Sequence, residues 1–183
     1  MSSMKGHILI AMPHLSDPYF RRSLVFICEH DEQGAMGLII NKSFEDDSIK
    51  KIFPSLIVND DAINEVISPM HFGGPVDLER GFLLHSTDFV SEDTLKINED
   101  FSLTSNSEII DAIQIGTGPQ SFKMMLGYAG WGKGQLESEI ENGDWLFQEV
   151  KPDFIFNGVE IEKWISATQS FGINIAPGSG GLA

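Results

Sequence analysis

The chain has 183 residues, 42% of them hydrophobic and 21% charged, which suits one globular domain with a sizeable core and excludes the disordered class. Twelve Lys and Arg stand against 27 Asp and Glu, a formal net charge of -15, and a field of that sign opposes the counterion displacement by which proteins dock on duplex DNA. The single cysteine, Cys28, excludes an intramolecular disulfide and a multi-cysteine zinc site, and no apolar run reaches the ~18 residues of a membrane span, so the reading is a cytoplasmic protein.

Taken in chain order, residues 1–5 read as a loose end of a domain spanning 1–183, and Gly6 to Ala11 is a short apolar run that predicts a strand. Asp17-Pro18 opens a helical turn, with Asp as N-cap and Pro at the first position. Ser23 to Glu29 is apolar on both faces and predicts a buried central strand, with Asp31 to Gly34 as a turn and Gly37 to Asn41 as the hairpin partner. The Arg21-Arg22 pair before this run echoes a twin-arginine signal, but the run is shorter than the ~7–15 residues of such a segment and Glu29 follows it.

Residues 45–67 hold acidic loops and weak helical stretches such as Ile49 to Phe53. Gly73-Gly74-Pro75 marks a turn, Arg80 to Ser86 a strand, and Leu95 to Asn98 with Phe101 to Thr104 a second hairpin. A helix begins at Ser105 or Asn106 and carries Ile109, Ile110 and Ile113 on one face. Phe122 to Leu126 reads as a strand and Gly134 to Glu141 as a short helix. Trp145 to Phe147 and Phe154 to Phe156 read as strands. The last helix, Gly158 to Ser170, sets Ile161, Trp164, Ile165 and Phe171 at helical spacing, and 178–183 is a second loose end. Strands and helices do not alternate one for one, so the pattern predicts an α+β domain built on a mixed β-sheet rather than a doubly wound parallel one.

Three constellations could carry chemistry. Gly127 to Gly134 fits G-x-x-x-x-G-K between a strand and a helix, but Gly134 stands where a P-loop has the hydroxyl that holds magnesium, and Trp131 is bulky for a phosphate-wrapping loop. The competing reading is a tight turn that uses glycine for its backbone angles. Cys28 and His30 share a strand face if the strand runs straight, which would make a thiol–imidazole dyad; the competing reading is a core cysteine. The five histidines show no metal-ligand spacing and read as polar residues at strand ends. Arg21, Arg22 and Arg80 are the only arginines, and each either pairs with a carboxylate such as Glu29 or Asp77 or grips an anionic ligand or acidic partner segment.

Met12 to Ser23, Cys28-Glu29-His30, Gly34 to Gly37 and Asn41-Lys42 resemble the opening signature of the YqgE/AlgH family of bacterial proteins. Gly73-Gly74-Pro75, Arg80-Gly81-Phe82 with His85, Gly127-Tyr128-Ala129 with Trp131, and Gly134 to Glu137 with Glu139 continue the resemblance in order. The family often ends Ala-Gly-His-Ala where this chain has Gly180-Gly181-Leu182-Ala183, so no role for a terminal histidine carries over. The resemblance implies a single α+β domain whose mixed sheet has a small barrel-like part flanked by helices. It also implies a regulatory role, since members carry the label of transcriptional regulators of exopolysaccharide genes. It brings no enzyme activity, cofactor or catalytic residue. Joined to the charge argument, it points to a protein partner or a small anionic ligand rather than to duplex DNA. The candidate recognition residues are Arg21, Arg22, Glu29, His30, Asn41, Gly73, Gly74, Arg80, Tyr128 and Trp131.

Overall fold

Strand β2 (Leu24–Asp31) alternates between two hydrophobic cores, and the rest of the fold follows from that. Its Leu24, Phe26 and Cys28, with Ile8 and Ile10 of β1 (His7–Ala11), enter one cluster; Val25, Ile27 and Leu9 enter the other. A strand buried on both faces must be central, as the continuous apolar run predicts. The computed structural model describes residues 2–52 and 69–173; the expectations for residues 53–67 and 178–183 lie outside the described residues.

β2 turns through Glu32 and Gln33 into β3 (Gly34–Ile39), and the Asp31 carboxylate accepts the Gln33 N–H at 2.7 Å to hold the turn. A β-bulge interrupts the β2–β3 register: Ile27 faces Gly37 and Glu29 faces Met36, leaving Cys28 as the extra residue. After β3 come α1 (Asp47–Ile52), β4 (His71–Phe72), β5 (Val76–His85) and the β6 (Leu95–Lys96) and β7 (Ser102–Thr104) hairpin. Then follow α2 (Glu108–Gln114), β8 (Phe122–Gly132), α3 (Gln135–Glu141), β9 (Trp145–Glu149), α4 (Pro152–Phe156) and α5 (Glu160–Ser170).

Among the described residues the strands join in the order β6-β7-β5-β8-β3-β2-β1-β9, with β4 parallel to β8, and this sheet curls into a half-barrel. The eleven-residue β8 is the joint. Its residues from Phe122 to Tyr128 pair with β5, and Ala129 to Gly132 pair with β3. The Gly73-Gly74 turn presses on its middle: a Cβ on Gly73 would come within 2.3 Å of the Gly127 carbonyl oxygen, and one on Gly74 within 2.1 Å of the Tyr128 carbonyl carbon. Only glycine permits that approach.

Four sequence expectations need correction. Gly127 to Gly132 is strand, not turn, so only Lys133 and Gly134 separate β8 from α3. Phe154 to Phe156 is helical, because Pro152 starts α4 at its first turn and only Ile155 is buried. Residues 2–5 are not loose: Met4 is 1% exposed and belongs to the second core. On α5 the inward face is Lys163, Trp164, Ala167 and Thr168, while Ile161 is 74% exposed.

Candidate functional site

A cleft of about 710 Å³ opens where the Ser16 to Arg22 turn, α1 and α5 meet. Asp17 builds the turn as expected, its Oδ1 accepting the N–H groups of Tyr19 and Phe20 at 2.8 and 3.1 Å. Arg22 leaves the turn with φ 55°, a left-handed conformation that costs a residue with a Cβ about 1–2 kcal/mol. Buried Asn41 latches it there. Its Nδ2 donates to the Arg22 carbonyl at 2.9 Å while its Oδ1 accepts the Leu24 N–H at 2.9 Å. The Arg22 guanidinium lies 5.3 Å from the ring centroid of Trp164, whose indole N–H is fixed to the Ala11 carbonyl at 2.8 Å.

Arg21, Arg22, Lys42 and Lys51 all line this cleft, together with Asn41 and, among the described residues, a single carboxylate, Asp46. None of the four cations forms an ion pair among the described residues. Lys42 is 5% exposed and its ammonium donates to the Tyr19 carbonyl at 3.2 Å. Burial lowers its pKa to about 8, opposed by Asp46 and Asp17 and assisted by Arg21. Pro18, Ile52, Ile161, Trp164 and Ile165 supply the apolar walls. Guanidinium groups beside an apolar wall can bind a carboxylate or phosphate and shelter what it is attached to.

Of the sequence candidates, this cleft gathers Arg21, Arg22 and Asn41. The others sit elsewhere. Arg80 occupies an irregular stretch of β5 where residues 77–80 face only Gly127, and its guanidinium stacks 4.9 Å over the Phe82 ring. Tyr128 packs edge-on against Phe82. Gly73 and Gly74 serve backbone approach. Glu29 is exposed on β2.

His30 and Cys28 do not meet. Strand alternation after Leu24 and Phe26 puts Cys28 in the first core, where its thiol points to the Phe26 carbonyl and burial raises its pKa far above the ordinary value. His30 instead accepts the Met4 N–H on Nδ1 at 2.9 Å and donates from Nε2 to Glu137 at 2.6 Å, a neutral ring with both nitrogens used. That hydrogen bond holds the Glu137 carboxyl below its usual range. Trp131 is buried, with its indole N–H on Glu139 Oε2 at 2.8 Å, and Trp145 donates to the same oxygen at 3.0 Å. A phosphate-wrapping loop is therefore absent from the Gly127 to Gly134 segment.

Sequence reasoning missed Lys42, Lys51 and the apolar wall of α5. Asn41-Lys42 had a signal in the family signature, whereas Ile161 and Ile165 carried the spacing of core residues. It also missed a charge network beside the cleft, in which Glu160 Oε1 accepts from Lys123 at 2.6 Å and lies 3.4 Å from Lys163 and 3.5 Å from His71. Among the described residues no group of three or more His, Cys, Asp or Glu side chains is placed to hold a metal, and no helix is long and apolar enough to cross a membrane.

The comparisons with known proteins agree with this architecture. The solution structure of the AlgH protein from Pseudomonas aeruginosa superposes with a TM-score of 0.74 at 34% identity, covering 100% of this chain and 99% of that one. A crystal structure from Corynebacterium diphtheriae, 21% identical, shares the fold with a TM-score of 0.71 over 93% of this chain and 88% of its own. A UPF0301 protein of Marinomonas sp. strain MWYL1 is 40% identical over 94% of this chain and 92% of its own length. Another, from Photorhabdus laumondii, is 39% identical over 94% of each. With its residues 8–176, from the second residue of β1 to beyond the end of α5, matching the family described as AlgH-like, the chain belongs to that family.

Proposed function

We propose that this protein is a binding protein, not an enzyme, that captures a small anion in the cleft between the Ser16 to Arg22 turn, α1 and α5. Its effect on gene expression is then indirect, passed to a partner in the cytoplasm without docking on duplex DNA. One observation carries the reading. Four of the chain's 12 Lys and Arg line a single cleft in a protein whose net charge is -15, and none is paired with a carboxylate among the described residues. A preformed cationic pocket of this size is what a small organic anion requires.

The test is a thermal-shift panel of phosphate, pyrophosphate, sugar phosphates, nucleotides and dicarboxylates. A ligand at 100 times its Kd adds about 2.7 kcal/mol, or about 5–10 °C in Tm for a domain of this size. The charge-reversed pair Arg21→Glu/Arg22→Glu keeps a folded circular-dichroism spectrum and loses the shift. A panel without any shift overturns the reading, as does fluorescence anisotropy showing tight duplex DNA binding at low salt.

A further inference from the structure

The anion reading leaves the other half of the cleft unexplained. Ile161 is 74% exposed and Ile165 38% exposed, one turn apart on α5, and both line the cleft beside buried Trp164. Large aliphatic side chains ordinarily turn inward, because burial removes their surface from water. Here Lys163 and Thr168 take inward positions instead, at 4% and 0% exposure, and Lys163 has polar partners there. Lys163 donates to the Ile155 carbonyl at 2.7 Å and sits by Glu160, and Thr168 donates to the Ile165 carbonyl at 2.9 Å. The helix is thus rotated so that two isoleucines face the cleft. Arg22 joins the two halves, since its guanidinium stacks over Trp164 while its backbone is held left-handed by Asn41.

Resting on the anion reading, we propose that the ligand is an amphipathic organic anion, with a carboxylate or phosphate head among Arg21, Arg22 and Lys42 and an aliphatic body laid along Ile161, Trp164 and Ile165. Charge complementarity fixes the head. The volume of about 710 Å³ leaves room for a body of drug-like size, far beyond what a bare phosphate fills. The ligand is a free soluble molecule and not a bilayer lipid, because a chain of net charge -15 is repelled by an anionic membrane surface.

Calorimetric titration with two homologous series tests this: methyl, butyl and hexyl phosphate, and acetate, butyrate and hexanoate. In the matching series each added methylene tightens Kd about fourfold, with a negative heat-capacity change that grows with chain length. The tighter series identifies the head group. In Ile161→Ser/Ile165→Ser, two substitutions on an exposed helix face, the gain with chain length is lost, so that the hexyl homologue binds no tighter than the shortest member of its series. Short anions that bind without any gain, or a gain that survives in the double variant, overturn this inference and leave the anion reading standing. If neither short nor long anions bind, both fall. Co-sedimentation with phosphatidylglycerol vesicles, blocked by Ile161→Ser/Ile165→Ser, would overturn the soluble form of the ligand.

Discussion

Arg22 keeps a backbone angle that glycine or asparagine would adopt more easily, which makes it a residue where strain and use can be separated. Arg22→Ala loses the contact with Trp164 and keeps the strain, whereas Arg22→Gly loses both. The glycine variant should therefore melt above the alanine variant by about 2–4 °C, corresponding to about 1 kcal/mol, while both bind anions equally poorly. Lys42 sets a pH dependence on the same site. Its amine is protonated below about 8 and neutral above, so anion affinity should hold steady up to that pH and fall beyond it. Lys42→Met should flatten the profile at a weaker affinity. Neither residue was fully legible in the sequence. Arginine carries no signal for a left-handed backbone, and Lys42 acquires its low pKa from burial in the folded chain, where its ammonium reaches the Tyr19 carbonyl.

At the scale of elements, α3 and α5 are anchored by carboxylates rather than by caps. Glu139 on α3 receives two indole N–H groups, and replacing it with leucine leaves Trp131 and Trp145 each a buried donor without a partner. The cost is about 2–4 kcal/mol, read as a lower urea midpoint and altered tryptophan fluorescence. On α5, burial alone would raise the Glu160 carboxyl, but His71 and Lys123 outweigh it and hold its pKa at about 2. A depressed carboxylate stabilises the fold above its unfolded value near 4.3, and that contribution drains away as pH falls toward 2. Glu160→Gln should cost about 3 kcal/mol at neutral pH, where it strands Lys123, and should flatten the loss of stability between pH 4.5 and 2. Most elements were legible from their apolar periods, β2 best of all because both of its faces are buried. Short ones were not. A three-residue run such as Phe154 to Phe156 has no period, and the bulge at Cys28, which separates it from His30, leaves no mark in composition.

Across the whole molecule, the surplus of 15 negative charges is a source of self-repulsion, so raising salt from about 10 to 150 mM should raise Tm while weakening capture of the anion. The fold class followed from strand and helix order, and the family from motif blocks spread along the chain. The cleft did not follow, because it brings together residues 16–22, 41–52 and 161–165, which no local pattern connects.

The pairing of β1 with both β2 and β9 has a consequence for how the protein is made. As the nascent chain leaves the ribosome, β1 has its inner neighbour almost at once, yet its outer neighbour, Trp145 to Glu149, is translated more than a hundred codons later. β3 waits nearly as long for the end of β8. During that interval a three-stranded apolar ribbon has two open edges, each a template for non-native strand pairing until synthesis closes them.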